Sequence, residues 1–454
     1  MAQMTTQGPG PEKTDGADRP LSIIYRNVTD LKLAPGNPRR HSRKQIRQIA
    51  GSIEAFGFNV PVLIDAQMGV IAGHGRVLAA GLLGLTQVPT ISLEHLTEPQ
   101  IHAFMIADNR LTENSRWDER LLAEQIKALA EVELDFNLEA TGFEMGEIDV
   151  MIEGLAPGHR GQEDPADALP EIPKNLQVSR RGDLWVLGRH QIFCGNALSG
   201  SSCQGLLRDR RAAMIFTDPP DDAPIAGQAT GLGRIQHQDF KMASGEVSES
   251  AFADFLTQAL AHLAEHSTDG ALHFICMDWR HMGELLAAGR RVYSELTNLC
   301  VWAKDHAGGG SLYRSQHELI FVFKSGKGLH RDNVQPGHNG RYRSNVWHYP
   351  GVNSSSRNTE DGNHLEFRPQ PVALVADAIM DCTGRGDIVL DPFLGSGTTL
   401  MAAERMGRIG YGIELDPVCV DTAIRRWQAF TGQKAVKESS GQTFAEVEKG
   451  GHHG

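Results

Sequence analysis

With 454 residues, 40% of them apolar and 22% charged, the chain has the composition of ordinary globular protein and the length of two or three domains. A net charge of −12 excludes nucleic-acid binding through the overall field, so contact with a polyanion must come from local basic faces. No stretch approaches a membrane span, and six cysteines without a CxxC spacing exclude a zinc framework and fit the reduced thiols of a cytoplasmic protein, so neither membrane nor metal is expected.

Residues 1–20 are rich in Gly, Pro, Thr, Gln and Asp and read as a disordered leader. From Ser42 to Phe56, Ile46, Ile49, Ile53 and Phe56 recur at helical spacing, with Ser42 as N-cap and Gly57 as stop. Val60 to Asp65 and Gly69 to Ala72 read as short strands. Gly73-His74-Gly75-Arg76 then turns into a helix running to about Leu83, and a second amphipathic helix spans Asp118 to about Ala130. These elements predict an α/β domain over residues 21–155. Pro, Gly, Asp and Glu without periodicity mark a linker over 156–178.

Beyond the linker, apolar runs alternate with helices, as a mostly parallel, Rossmann-like sheet requires, over residues 179–432. The expected strands are Ala212–Thr217, Ala271–Met277, Leu299–Ala303, Leu319–Phe323, Ile388–Leu390 and Ile409–Ile413. Residues 324–368 lose this regularity and read as a large loop or small insert. Residues 433–454 read as a polar, frayed tail.

Ile388-Val389-Leu390 feeds into Asp391-Pro392-Phe393-Leu394-Gly395-Ser396-Gly397-Thr398-Thr399, and a helical run follows. Gly395 and Gly397 let backbone approach a ligand closely, and the helix start at Thr398 offers unpaired N–H groups. The next strand ends in Glu414, placed to accept both hydroxyls of a ribose. Dinucleotide binding would want GxGxxG, but the third residue after Gly397 is Leu400. A sulfonium cofactor with one adenosine and an amino-acid tail, S-adenosyl-L-methionine, needs no pyrophosphate cradle, and Asp391 would suit its ammonium group.

A second strand ends in Thr217-Asp218-Pro219-Pro220, again at a carboxyl tip where ligands of open sheets gather. The Asp218 carboxylate and a main-chain carbonyl fixed by Pro219 and Pro220 can accept both protons of a base amine, favouring a pyramidal nitrogen. The base must first leave the helix stack. The chain here resembles the permuted, amino-methylating DNA methyltransferases, in which a DPP-type catalytic motif precedes the FxGxG cofactor motif. The resemblance covers about Arg180 to Gly432 and implies duplex DNA as substrate, catalytic Asp218, Pro219 and Pro220, and cofactor contacts from Asp391, Phe393, Gly395, Gly397, Thr398 and Glu414. Asp218, rather than Ser, points to adenine N6, with cytosine N4 or RNA as alternatives.

The family's DPPY or DPPF aromatic is replaced by Asp221, and its His-Pro-x-x-Lys-Pro segment reads Phe367-Arg368-Pro369-Gln370-Pro371. Base–aromatic stacking is worth about 1–3 kcal/mol, so its loss implies a roughly 5- to 150-fold weaker enzyme, or a DNA-binding regulator without turnover. Arg331, Arg341, Arg343 and Arg357, interleaved with Tyr342, Trp347 and Tyr349, are expected at phosphates and bases.

Asn37-Pro38-Arg39-Arg40-His41, the basic helix carrying Arg43, Lys44 and Arg47, and Gly73-His74-Gly75-Arg76 are similar to the N-terminal domain of chromosome-partition ParB proteins, over about Ile23 to Lys127. That resemblance implies a nucleotide phosphate at Gly73, Gly75 and Arg76, with Glu113-Asn114-Ser115-Arg116 echoing a second family box. No helix-turn-helix is read after it, because the chain passes to the linker. A second copy of the chain is a further expected partner.

Overall fold

The computed structural model describes residues 21–155, 164–170, 177–220, 249–308, 312–334, 341–351 and 370–450, in two compact units, 1–144 and 145–454. Asp221, Asp222, Arg357 and Phe367 to Pro369 lie outside the described residues.

The first unit contains β1 (Ile24–Asn27), α1 (Arg43–Phe56), β2 (Val62–Ile64), β3 (Val70–Ala72), α2 (His74–Leu82), β4 (Gln87–Ser92), α3 (Glu98–Glu113) and α4 (Glu119–Ala130). Its sheet runs β1-β4-β2-β3, with only the β2–β4 pair parallel. Helix α1 starts where the Ser42 side chain accepts from the Gln45 N–H at 3.1 Å and stops at Gly57, whose φ of 84° a side chain would resist. Helix α3 escaped the sequence reading: its only buried apolar residue is Met105, so it shows no clear stripe, although Thr97 and Gln100 form a capping box at its start.

The second unit begins with α5 (Met145–Glu153), β5 (Leu184–Leu187), β6 (His190–Cys194), α6 (Gly200–Leu207), β7 (Ala212–Thr217), α7 (Glu249–Glu265), β8 (Ser267–Met277) and α8 (Met282–Val292). It continues with β9 (Glu295–Ala303), β10 (His317–Lys324), β11 (Val346–His348), α9 (Val372–Cys382), β12 (Ile388–Asp391), α10 (Thr398–Arg405), β13 (Ile409–Glu414), α11 (Pro417–Thr431), β14 (Val436–Lys437) and α12 (Phe444–Gly450). The ten-stranded sheet runs β11-β9-β10-β8-β7-β12-β13-β6-β5-β14. From β8 to β6 every neighbour is parallel, whereas β10 and β5 pair antiparallel with both of their neighbours. The carboxyl ends of β8, β7, β12 and β13, at Met277, Thr217, Asp391 and Glu414, therefore leave along one edge.

Both faces of this sheet are covered, which is why its central strands are continuous apolar runs. Met214, Phe216 and Val389 pack on one side against Leu374, Ile379, Leu400 and Trp427, while Ile215 and Leu390 pack on the other against Leu206, Leu256 and Leu285. Strand β11 falls inside the irregular 324–368 stretch and joins the sheet edge beside β9.

Three expected boundaries move. Asp149 of α5 is 1% exposed and takes a bidentate pair from fully buried Arg408 at 2.8 and 2.9 Å, with Arg385 at 3.1 Å. This helix thus belongs to the second unit, and the division falls at Glu144 rather than after 155. Within the expected linker, Asp164 pairs with Arg405 at 2.5 Å, and Asp167 accepts from the Val372 N–H at 2.8 Å. The expected frayed tail instead buries Ala435 and Phe444, the latter against Trp185 at 5.3 Å, because two apolar residues suffice to anchor an otherwise polar segment. Among the described residues, no helix is long and apolar enough to cross a membrane.

Candidate active site

Strand β12 and helix α10 are joined by the turn 392–397. The turn lies so close on β13 that a Cβ at Gly412 would stand 2.5 Å from Leu394 Cδ2. Gly397 leaves the turn at φ 86° and starts the helix. Among the described residues, nothing lies within 4 Å of where the Cβ of Gly395 would be. Its N–H donates to Glu414 Oε2 at 2.8 Å, and the Asp416 N–H donates to Oε1 at 2.8 Å. Burial pushes the Glu414 carboxyl up to about 7, against the pull of these two N–H bonds.

Asp391 is 5% exposed. Its Oδ1 accepts from Thr217 Oγ1 at 2.8 Å and from the Phe393 N–H at 3.1 Å, and its Oδ2 accepts from Thr399 Oγ1 at 2.7 Å. Burial raises its carboxyl to about 6. The expected ammonium acceptor is therefore already engaged by two hydroxyls, and its place is inside the turn. Thr398 likewise turns inward, its Oγ1 accepting from Arg426 at 3.1 Å. The Phe393 ring lies 6.1 Å from Phe255.

Asp218 follows Thr217 at the tip of β7 and is exposed, while Pro219 behind it is buried. Gln370 Nε2 donates to Asp218 Oδ2 at 2.6 Å. The sequence places Gln370 in the altered family segment but does not pair it with Asp218, since nothing local signals a partner 152 residues away. Asp218 also gathers with Cys276 and Glu318, their side-chain donor atoms within 4.8 Å of one another. Burial and the neighbouring carboxylates push the Cys276 thiol well up, so it stays protonated, and Lys304 Nζ balances Glu318 at 3.0 Å. Past β8, Trp279 is 54% exposed, and His281 beside it packs on Phe252 at 5.2 Å.

Three of the four arginines expected at DNA, Arg331, Arg341 and Arg343, lie elsewhere, and the fourth, Arg357, is outside the described residues. Arg341 pairs with Asp377 at 3.1 Å and Asp381 at 2.8 Å, and Arg343 with the same two carboxylates at 3.2 and 3.1 Å. Both are largely buried, so their charge is already met inside the unit and is not offered to phosphate. Arg331 lies 3.5 Å from the Cβ position of Gly384, four residues before β12 begins, at the opposite end of the sheet from the carboxyl tips.

In the first unit, Gly73 has φ 104° and its Cβ position is 3.0 Å from Arg76 Nη2. Arg76 Nη2 reaches the Pro61 carbonyl at only 3.4 Å, and its buried Nε has no hydrogen-bond partner among the described residues. Gly75 packs closely, its Cβ position 2.9 Å from Ile49 and 3.1 Å from His41. Burial, then the neighbouring His41, lowers the His74 imidazole, which stays neutral there.

A family model described as DNA methylase, of the N6/N4 type, matches residues 212–425, which include both strand tips. A 46% identity over 80 residues relates the chain to the ParB-like nuclease domain-containing protein YnaK of Escherichia coli K12, over 18% of this chain and 92% of that protein. The protein is a ParB–DNA methylase fusion. A second model, the ParB-methyltransferase HTH domain, matches residues 120–181 of the fusion protein, which corrects the expectation that no helix-turn-helix follows. Its match includes α5 and the segment after it, where Pro, Gly and acidic residues had suggested only a linker. The fusion protein is 33% identical to the Type II methyltransferase M.ScaI of Streptomyces caespitosus over 90 residues, 20% of this chain and 30% of that one. It is 30% identical to the Type II methyltransferase M.Cfr9I of Citrobacter freundii over 162 residues, 34% of this chain and 50% of that one. The fusion protein thus spans half or less of these two methyltransferases. The crystal structure of the M1.HpyAVI–SAM complex aligns at 19% identity and a TM-score of 0.37, covering 52% of this chain and 98% of that one.

Proposed function

We propose that the fusion protein transfers a methyl group from S-adenosylmethionine to the exocyclic amine of a base in duplex DNA, at adenine N6 rather than cytosine N4. The observation that carries this reading is the Thr217–Asp391 bond, which joins the tip bearing Asp218 to the glycine turn. The site's residues suit the cofactor: Gly395 borders open space among the described residues, and Glu414 is an acceptor whose oxygens each keep a lone pair beyond the N–H bond they take. When bound, S-adenosylmethionine supplies a methyl group on a positive sulfur that leaves as a neutral thioether.

The chain's own residues do the rest. Gln370 fixes the rotation of the Asp218 carboxylate, which accepts one amine proton while the Pro219 carbonyl accepts the other. The amine nitrogen becomes pyramidal and forms the new N–C bond as the C–S bond breaks. It then sheds a proton to Asp218, which passes it to solvent. Asp218 at the position of Ser favours adenine, by likeness to the family's adenine enzymes. Trp279, exposed just past the strand beside β7, offers the stacking face that Asp221 cannot.

A rival reading, a DNA-binding protein that does not turn over, is favoured by Asp221. Incubation with methyl-labelled S-adenosylmethionine and mixed-sequence duplex DNA separates the two. Label in DNA is expected, and none at high protein concentration would refute the enzyme. In the first unit, the unpartnered Arg76 Nε beside the Gly73 turn supports a nucleotide phosphate there. Titration of the full chain with nucleoside triphosphates tests it: binding that Arg76→Ala abolishes supports the reading, and no binding by the unmodified chain ends it.

A further inference from the structure

The segment 164–168 lies outside the DNA methylase match, yet it reaches the glycine turn through one side chain. Arg426 of α11 is 2% exposed. Its Nε and Nη2 donate to the Ala166 carbonyl at 3.0 and 2.7 Å. Its Nη1 points the other way, to Ser396 O at 3.3 Å, Ser396 Oγ at 3.4 Å and Thr398 Oγ1 at 3.1 Å. The planar guanidinium thus spans two segments whose sequence separation exceeds two hundred residues, and its fork fixes both at once. One residue on from Ala166, Asp167 accepts from the Val372 N–H at 2.8 Å, two residues past the Gln370 that holds Asp218.

We infer that Arg426 is a positioning residue for the cofactor turn, and that segment 164–168 is an integral part of the methyl-transfer site rather than a tether. A turn that must receive a ligand at Gly395 leaves that face open, so its backbone has to be held from behind. Helix α10 and Arg426 do this, and Ala166 holds Arg426. A ligand entering a turn held in this way loses little freedom to ordering it, so the consequence of releasing the turn falls on affinity rather than on the chemical step.

This inference rests on the S-adenosylmethionine reading, and the test keeps the two apart. S-adenosylhomocysteine is titrated calorimetrically into the full chain and into Arg426→Gln, Arg426→Lys and Asp421→Asn. Failure of the unmodified protein to bind removes the cofactor reading itself. If it binds, Arg426→Gln is expected to weaken the affinity about 10-fold or more and to raise KM for the methyl donor with kcat changed less than about 3-fold. Arg426→Lys, which keeps the charge and part of the donor set, is expected to recover part of the loss. Asp421 lies on the same helix, and its carboxylate accepts from the Val178 and Ser179 N–H groups, at 2.7 and 3.0 Å, rather than from a group of the turn. Its variant should lower thermal stability and leave affinity unchanged.

Equal affinity in Arg426→Gln, or an equal loss in Asp421→Asn, would overturn the assignment while leaving the function standing. Hydrogen exchange on the unmodified chain gives a check that no variant's folding can spoil. S-adenosylhomocysteine should protect amides in 164–168 together with those in 393–399, and protection of the turn alone would contradict the inference.

Discussion

Thr217 donates its hydroxyl to Asp391 across 2.8 Å, tying the last residue of β7 to the last residue of β12. The bond is buried, and Asp391 takes a matching one from Thr399. Replacing Thr217 by Val keeps the shape and deletes the donor, which should destabilise the fold by about 1–3 kcal/mol. Thermal melts of Thr217→Val, Thr399→Val and the pair should show non-additive losses, since both hydroxyls satisfy one carboxylate. Additive losses would mean that the two bonds act separately.

Asp218 and Gln370 should separate into different classes. Asp218→Asn is expected to abolish turnover while leaving S-adenosylhomocysteine binding unchanged, because it touches the base and not the turn. Gln370→Ala should lower kcat about 10-fold, as the carboxylate loses the bond that sets its rotation. Single-turnover rates and calorimetry on the same preparations check both.

The pH dependence follows from burial. The folded-state carboxyls of Asp391 and Glu414 are raised to about 6 and about 7, above their unfolded values near 4. Between those limits the folded state holds more protons than the unfolded one. Their contribution to stability is therefore complete below about pH 4 and is lost as pH rises through 6 to 7. Cofactor affinity should move oppositely, since ionised Glu414 is the better acceptor for ribose hydroxyls. KM for S-adenosylmethionine is expected to rise as pH falls below about 7, and Glu414→Gln should flatten that profile. A wild-type KM independent of pH between 5.5 and 8 would contradict this role for Glu414.

Arg343 was legible as a charge but not as a partner. Asp377 and Asp381 stand four residues apart on one face of α9, and together they take up Arg341 and Arg343. Arg343→Met should destabilise the fold by about 3 kcal/mol, since Asp377 and Asp381 then share one arginine. The salt dependence of DNA binding should keep its slope, whereas loss of a phosphate contact would reduce the slope by about 1. Denaturant melts and binding isotherms at several salt concentrations measure these two effects.

The two motif-bearing strands and the glycine turn could be read because their signals are local. Ile388 to Leu390 is an apolar run buried on both faces, and Gly395 and Gly397 mark a backbone that must bend within a few residues. Strands β5 and β6, toward the sheet edge, alternate buried and half-buried residues but carry no motif at their ends to single them out. Gln370, Arg426 and the Asp149–Arg408 pair act across 150 residues or more, and no spacing rule reaches that far. The tail reads as frayed and the segment 164–168 as linker because only a few buried residues, Phe444 and Ala166 among them, hold otherwise polar stretches in place.

Trp279 should matter to DNA and not to the cofactor. Trp279→Ala is expected to lower kcat/KM for duplex DNA roughly 5- to 150-fold, the range of one lost base stack, and Trp279→Phe to restore most of it. Steady-state assays with DNA as the varied substrate check this. An unchanged kcat/KM in Trp279→Ala would leave the flipped base without that platform.

The most direct measurement is the identity of the methylated nucleoside. The full chain and its Asp218→Asn variant are incubated with methyl-labelled S-adenosylmethionine and mixed-sequence duplex DNA, and the DNA is digested to nucleosides and resolved by chromatography. Label is expected in N6-methyldeoxyadenosine for the unmodified chain and none for the variant. Label in N4-methyldeoxycytidine, or no label from the unmodified chain, would contradict it.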